Sequence, residues 1–353
     1  MKRFALLLLL ACNNALEKAS PPPRSDLTFT PVMDLPTLPV GDQAHSGTCW
    51  SFATTSLLES EIIRLKGEQV DLSEMYFVRC AYIQKAQNYI LRQGSARFTE
   101  GGLSHDPILS AMQFGMLPQS AYNGLLHGAT AHDHAPVMHV LENAVKQQGP
   151  VWKTTIPAIL DSCLGKVPAS FEYAGKTYTP GSFMAYTQLN PVDYITITSF
   201  SHVPFYKPFV LSIPANWANE RFYNLPLEEF MANIDHALDA GFTLSLDLDG
   251  TEKTFLVEEG IGTWPDSTIT QQMRQDAFEH FTTTDDHLMH ISGKVKDQYG
   301  HIFYKCKNSW GATAGKQGFM YLSIPFMKMK AISVLLHKDG LLNDTRHMIN
   351  LQP

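Results

Sequence analysis

The sequence predicts an α+β chain. Helical periodicity follows Cys49 and returns over 224–240, whereas 288–295 and 302–307 read as the two strands of a hairpin. With 353 residues, the chain can bury a large core, as one two-lobed domain or two small ones. The composition, 44% hydrophobic with 23 Gly and 21 Pro, excludes disordered, collagen-like and coiled-coil classes. A net charge of −7 provides no basic field for nucleic acid. Five scattered Cys without a CxxC pair exclude a zinc ribbon and argue against a disulfide scaffold. No Gly-rich phosphate loop and no internal repeat occurs, and no cofactor is expected.

The start of the chain predicts export. Met1-Lys2-Arg3 precedes an apolar run over 4–11, far shorter than the ~20 residues that span a bilayer. Leu9-Leu10-Ala11-Cys12 resembles a bacterial lipobox with Cys12 as the lipidated residue, although Leu10 departs from the small residue usual there. Residues 1–12 are thus a signal peptide and 13–34 a polar, Pro-containing linker. The expected location is a membrane-anchored lipoprotein, periplasmic or on the cell surface, held only through its N-terminal lipid. A plain signal peptide cut near Ala15 is the alternative.

Residues 43–53 read QAHSGTCWSFA, and Phe52, Leu58, Ile62 and Leu65 then recur at helical spacing up to Gly67. Cys49 therefore sits at a helix N-terminus, where unpaired N–H groups and the helix dipole favour the nucleophilic thiolate. Gln43 can offer an amide donor to an oxyanion formed at the carbon this sulfur attacks. A thiolate needs a base. In an antiparallel hairpin turning at 297–300, the fold-back sets His287 beside Asn308, whose amide can orient the imidazole. His290 lies on the opposite face of the same strand and cannot meet Asn308 as well; it reads as a half-buried residue with a backbone partner.

These residues resemble the papain superfamily of cysteine peptidases, and within it the bleomycin hydrolase and aminopeptidase C branch. The matching pieces, in the family's order, are Gln43, Cys49-Trp50-Ser51-Phe52-Ala53, Leu72-Ser73-Glu74, Gly101-Gly102, His287 and Asn308-Ser309-Trp310-Gly311. The resemblance implies a two-lobed domain over 35–340, with a helical lobe at about 35–125 carrying Cys49. A β-barrel lobe at about 226–335 would carry His287 and Asn308, and an insertion would occupy about 125–225. It implies that Gln43 and the Cys49 amide form the oxyanion hole and that Gly101 and Gly102 line the substrate cleft. Trp50 and Trp310 are supporting residues, Trp310 by covering the His–Asn hydrogen bond. Ser46 stands where secreted members carry a half-cystine, so Cys80 lacks that partner. The long interval between Cys49 and His287 points to the bleomycin hydrolase side.

What the resemblance implies is hydrolysis of peptide substrates, with aminopeptidase action on short peptides favoured over endopeptidase action. A non-catalytic peptide-binding protein on the same scaffold, or a thiol-dependent acyltransferase, would be the alternatives. The tail, 340–353, is a candidate for lying in the cleft and admitting only free N-termini.

Three other features read as structural. His127, His132, His134 and His139 form a solvated His-rich loop, not a metal site, since no HExxH or Cys pair accompanies them. Asp247-Leu248-Asp249-Gly250 reads as a hairpin turn, lacking the remaining ligands of a calcium loop. Asp285 and Asp286 either tune the Cys–His pair or form a solvated lead-in to the strand. Finally, 224–240 reads as a helix capped by Asn224, with Leu227, Phe230, Met231, Ile234 and Leu238 on one face, followed by a strand from Phe242 to Leu248.

Overall fold

The computed structural model describes residues 26–147 and 149–351, so Cys12 and the leader lie outside the described residues. Strand β1 (Phe29–Asp34) precedes helices α1 (Cys49–Lys66), α2 (Glu74–Leu91), α3 (His105–Phe114), α4 (Ala135–Val145) and α5 (Thr155–Leu164). The short hairpin β2 (Phe171–Tyr173) and β3 (Lys176–Tyr178) leads into α6 (Pro180–Thr187). Strands β4 (Tyr194–Thr198), β5 (Pro208–Val210) and β6 (Arg221–Asn224) precede α7 (Leu227–Asp239). Then come β7 (Leu244–Leu248), β8 (Phe255–Leu256), β9 (Ile261–Gly262) and α8 (Gln271–Glu279). Strands β10 (His287–Asp297), β11 (Ile302–Lys307) and β12 (Phe319–Ser323), helix α9 (Ile324–Lys330), β13 (Ala331–His337) and α10 (Asn343–Met348) complete the order.

Helix α1 explains its own weak pattern. Every residue from Cys49 to Ile62 is buried, so polar Thr54, Ser56 and Glu59 interrupt an apolar stripe that never needs a wet side. Only the last turn reaches water, and Leu65 is exposed there. Gly67 ends the helix in the left-handed conformation, φ 69°, with its N–H bonded to Ile63 O. Ser73 caps α2 by accepting from Tyr76 N–H, which accounts for the Leu72-Ser73-Glu74 start.

The region expected as an insertion is divided between the lobes instead. Val137, Met138 and Leu141 of α4, Ile156 and Leu160 of α5 and Phe183 all join the core built on α1 and α2. Each short helix has one apolar face and can bury it only there. Strands β4 to β6 extend the large sheet, so the barrel lobe starts near Tyr194, not 226. Among the described residues that sheet has eleven strands, ordered β5-β6-β4-β13-β7-β10-β11-β12-β9-β8, with β1 paired to β10. The predicted linker therefore contains a strand. Phe29 is its anchor, stacked on Tyr321 at 4.4 Å and edge-on to Phe303 at 5.1 Å.

Helix α7 buries Leu227, Phe230, Met231, Ile234 and Leu238 as its spacing predicts, but it starts after Pro226. Asn224 does not cap it. Its amide donates to Phe200 O (2.7 Å) and Val203 O (3.1 Å), closing the bend after β4. Strand β7 is buried throughout: β13 and β10 cover its edges, and α1 and α7 pack against it. Asp249-Gly250 is consequently not a hairpin turn: the chain leaves β7 for β8, which is not its neighbour.

The C-terminal segment is also not in the cleft. Leu341 and Ile349 are buried in the barrel core, Leu342 N–H donates to Asn233 Oδ1 (2.9 Å), and Asn233 Nδ2 donates to Thr345 Oγ1 (2.9 Å). These contacts hold the segment through Leu351 against α7.

Strand pairing at β1 demands Gly293: a Cβ there would meet Met33 O at 2.2 Å, and that oxygen belongs to backbone. Gly293→Ala should destabilise the protein by about 1–3 kcal/mol. The expected readout is a lower urea midpoint at unchanged slope.

Candidate active site

The hairpin that carries the candidate base turns later than the sequence suggests. Asp297 N–H bonds His301 O (2.9 Å), which centres the turn on Tyr299, and a bulge lies between Ile291 and Gly293. His290 consequently faces Lys307 and Ile291 faces Cys306. Continued outward, this register sets Trp310, not Asn308, opposite His287. Asn308 meets His287 all the same, because the chain leaves the ladder after Lys307 and Asn308 N–H turns to Gly318 O (2.9 Å).

His287 Nε2 lies 2.8 Å from Asn308 Oδ1. Ser309 N–H donates to the same oxygen at 2.9 Å, which fixes the amide orientation. Oδ1 can only accept, so Nε2 carries the hydrogen and Nδ1 keeps its lone pair. Trp310 stacks on the imidazole at 4.5 Å and 25°. Cys49 is the first residue of α1, and it lines a cavity of about 680 Å³ together with Gln43, Gly101, Gly102, His287 and Trp310. Gly101 faces open space, whereas Gly102 is required for packing: a Cβ there would meet Asp106 Oδ2 at 2.3 Å and the Trp50 ring at 3.0 Å. Trp50 is fully buried and donates through Nε1 to Glu100 O at 3.1 Å.

A model of the papain family cysteine proteases matches residues 33–123. Over nearly its full length the chain is similar to Aminopeptidase G of Lactobacillus delbrueckii subsp. lactis, with 22% identity covering 91% of this chain and 85% of that one. It is likewise 22% identical to Aminopeptidase C of Listeria monocytogenes, covering 96% of this chain and 90% of the relative. The crystal structure of PepW from Lactobacillus rhamnosis superposes with a TM-score of 0.74 at 19% identity, covering 92% and 85% of the two chains. The segment over 33–123 carries the match to the papain family cysteine proteases, and the fold over nearly the whole chain is that of PepW.

The family's two-lobed arrangement leaves the cleft between the start of α1 and the start of β10. The loop bearing Gln43 is fastened to both lobes. Gln43 N–H donates to Ser309 O (2.9 Å) and Gly311 N–H to Gly41 O (3.1 Å) on the barrel side. On the helical side, His45 N–H donates to His132 O and His134 N–H to His45 O, each at 3.0 Å. Here the sequence reading of a solvated His loop fails: His132 and His134 are buried, and His134 Nδ1 lies 3.0 Å from Tyr82 OH. Burial pushes the His134 imidazole down to about 4, with His132 adding to the effect. Among the described residues, no group of three or more His, Cys, Asp or Glu could hold a metal ion.

Burial also sets the resting charges. It pushes the Cys49 thiol up to about 12, outweighing the backbone hydrogen bonds of Leu288 on β10 and Trp50 on α1, and pushes His287 down to about 4 against the Asn308 hydrogen bond. Desolvation thus opposes the thiolate that the helix dipole favours. His290 is fully buried and its Nδ1 lies 2.9 Å from Ser56 Oγ, so its partner is a side chain of α1, not backbone. Cys80 and Cys306 are buried free thiols and Cys163 a half-buried one.

Some residues around the site carry no sequence signal. Lys85, in the middle of α2, donates to the carbonyls of Thr99, Glu100 and Gly101 and so braces the wall bearing Gly101. Ser309 lies inside a motif, but its side-chain role emerges only here: Ser309 Oγ donates to Gln43 Oε1 at 2.6 Å, while Gln43 Nε2 donates to Ser46 O. One N–H of the amide remains to face the cleft. Removing that hydroxyl in Ser309→Ala should lower kcat about three- to tenfold with little change in KM, and Asn308→Ala should cost kcat more, since it frees the imidazole. Steady-state kinetics on one peptide substrate would check both.

Proposed function

We propose that the protein is an aminopeptidase that hydrolyses short peptides from a free N-terminus through Cys49, His287 and Asn308. The observation that carries the chemistry is an imidazole held by Asn308 in the cavity that Cys49 opens onto. The exopeptidase reading is supported by the whole-length similarity to proteins named as aminopeptidases.

In this reading His287 Nδ1 takes the thiol proton as Sγ bonds to the scissile carbonyl carbon. The oxyanion is held by Gln43 Nε2 and the Cys49 N–H. The C–N bond then breaks, and the imidazolium returns its proton to the departing amine. Water attacks the thioester with His287 as base, and breakage of the S–C bond restores the thiol. Asn308 keeps the imidazole in the tautomer that both half-reactions need.

The test compares aminoacyl fluorogenic amides with free and acetylated α-amines, using the wild type and Cys49→Ala. Free-amine substrates should be cleaved at least tenfold faster, and only by the thiol enzyme. Equal turnover of blocked substrates would reject the aminopeptidase reading, and thiol-independent or absent turnover would reject the catalytic one. Because His287 must be neutral to accept a proton and is pushed down to about 4, activity on a blocked substrate should fall only below about pH 4. A limb near 6.5, the ordinary imidazole value, would contradict the buried site.

We further propose export as a lipoprotein anchored through Cys12, supported by the basic start, the apolar run and the Leu-Leu-Ala-Cys ending. Cys12→Ser should move the protein from the detergent phase to the aqueous phase in phase partitioning; an unchanged partition would reject the anchor.

A further inference from the structure

An aminopeptidase must take the ammonium group of its substrate out of bulk water, and a carboxylate at hydrogen-bonding distance is the group that compensates. Four carboxylates line the catalytic cavity: Glu100, Glu142, Asp285 and Asp286. Glu100 is engaged with Gly47 N–H, and so holds the loop that leads into Cys49. Asp286 already accepts from Gly250 N–H (2.7 Å), Thr251 Oγ1 (3.0 Å) and Thr284 Oγ1 (2.8 Å). Glu142 belongs to α4 and is the competing candidate on the same cavity wall. Asp285 stands two residues before His287 and is partnered differently.

Its carboxyl is hydrogen-bonded to that of Asp247. Asp247 is wholly buried on β7, opposite Leu288; its Oδ2 accepts from Ser333 Oγ at 3.3 Å, and its Oδ1 receives no N–H or hydroxyl donor. Two carboxyls in contact cannot both ionise and share one proton. Burial raises both, Asp247 well above the usual carboxylate range and Asp285 to about 6. The deeper Asp247 therefore keeps the proton and donates it to Asp285, which remains the charged member at neutral pH. A single negative charge then stands on the cavity wall, near enough to Cys49 that both acids push its thiol up further.

Asp285 accepts a backbone hydrogen bond from Ala215, but among the described residues no Lys or Arg forms a salt bridge with either acid. Arg274 lies close enough to Asp247 to attract it, but three of its N–H groups point to the carbonyls of Ser199 (2.7 Å), Lys328 (3.1 Å) and Ile332 (3.2 Å) and none bonds either acid. Arg97 lines the same cavity and is only the weakest of the influences on Asp285. An acid pair without a cation destabilises a fold, so its place in a substrate cavity points to a ligand that supplies the cation. We infer that Asp285, backed by Asp247, binds the α-ammonium group of the substrate. This deepens the aminopeptidase reading and rests on it.

The experiment measures kcat/KM for free-amine and N-acetylated aminoacyl amides on the full-length wild type, Asp285→Asn, Asp285→Glu and Glu142→Gln. Stoichiometric alkylation of Cys49 by iodoacetamide verifies that each variant is folded. A wild-type preference near one would reject the aminopeptidase reading before any variant is consulted. Given that preference, Asp285→Asn should lower the free-to-blocked ratio about tenfold or more, through KM of the free-amine substrate, and Asp285→Glu should restore part of it. A ratio that stays constant in Asp285→Asn, or that falls in Glu142→Gln instead, would overturn the assignment. A further arm uses N-blocked dipeptidyl amides with Lys or norleucine next to the scissile residue. If Asp285→Asn removes a Lys preference there while the free-amine preference survives, the cation recognised is a side chain, and the α-ammonium assignment falls.

Discussion

Helix α1, buried on every face from Cys49 to Ile62, is the surface on which the two lobes meet. Its partners across the seam are β7 and β10, and the contacts are polar as well as apolar. Thr54 Oγ1 donates to Ser104 O (3.0 Å) and lies 3.2 Å from Ser245 Oγ, while Ser56 Oγ meets both His290 Nδ1 (2.9 Å) and Lys307 Nζ (2.8 Å). Each buried bond of this kind adds only about 1 kcal/mol net, but leaving one member unpaired costs about 1–3 kcal/mol. The seam therefore specifies one alignment of helix against sheet. Cys49 at the first position of α1 and His287 at the first of β10 both inherit their places from it.

Burial does more than align the pair; it sets its charge. Desolvation disfavours both the thiolate and the imidazolium, the two forms that proton transfer between them would create. The His287–Asn308 bond is then the feature that prepares the reaction, because it leaves Nδ1 as the basic nitrogen without requiring a charge. Trp310, stacked on the ring, holds the imidazole plane while that bond holds its edge.

Gln43 sits on a loop that belongs to no helix or strand. It is precise because it is tied at both ends, to the Ser309–Gly311 stretch of the barrel lobe and to the 132–134 stretch of the helical lobe. The buried His132 and His134 belong to this support, whereas His127 and His139 of the same stretch are exposed.

The motifs around Cys49, His287 and Asn308 are local or depend on one hairpin, and for that reason the meeting of the His287 imidazole with the Asn308 amide was legible in the sequence. The apolar stripe of α7 was legible too, because a helix with one wet face writes its period into the residues. Elements buried on all sides wrote no such period, and their surroundings had to be seen. The first strand hidden in a supposed linker, the helices α4 to α6 joined to the first lobe, and the tail docked on α7 are all contacts between distant segments. The register of β10 against β11 was missed by two places, because a bulge at Ile291–Gly293 and a turn centred on Tyr299 depend on the packing of β1 and β7 against the same strand. The same holds for charge. Asp247 and Asp285 are 38 positions apart and look unremarkable singly; only the pairing of β7 with β10 brings their carboxyls together. By itself the sequence determined which atoms could react, since nucleophile, base and amide are properties of residue type and short-range order. The tertiary structure alone decided their protonation and what stands around them, since desolvation and like-charge contact exist only once distant segments have met.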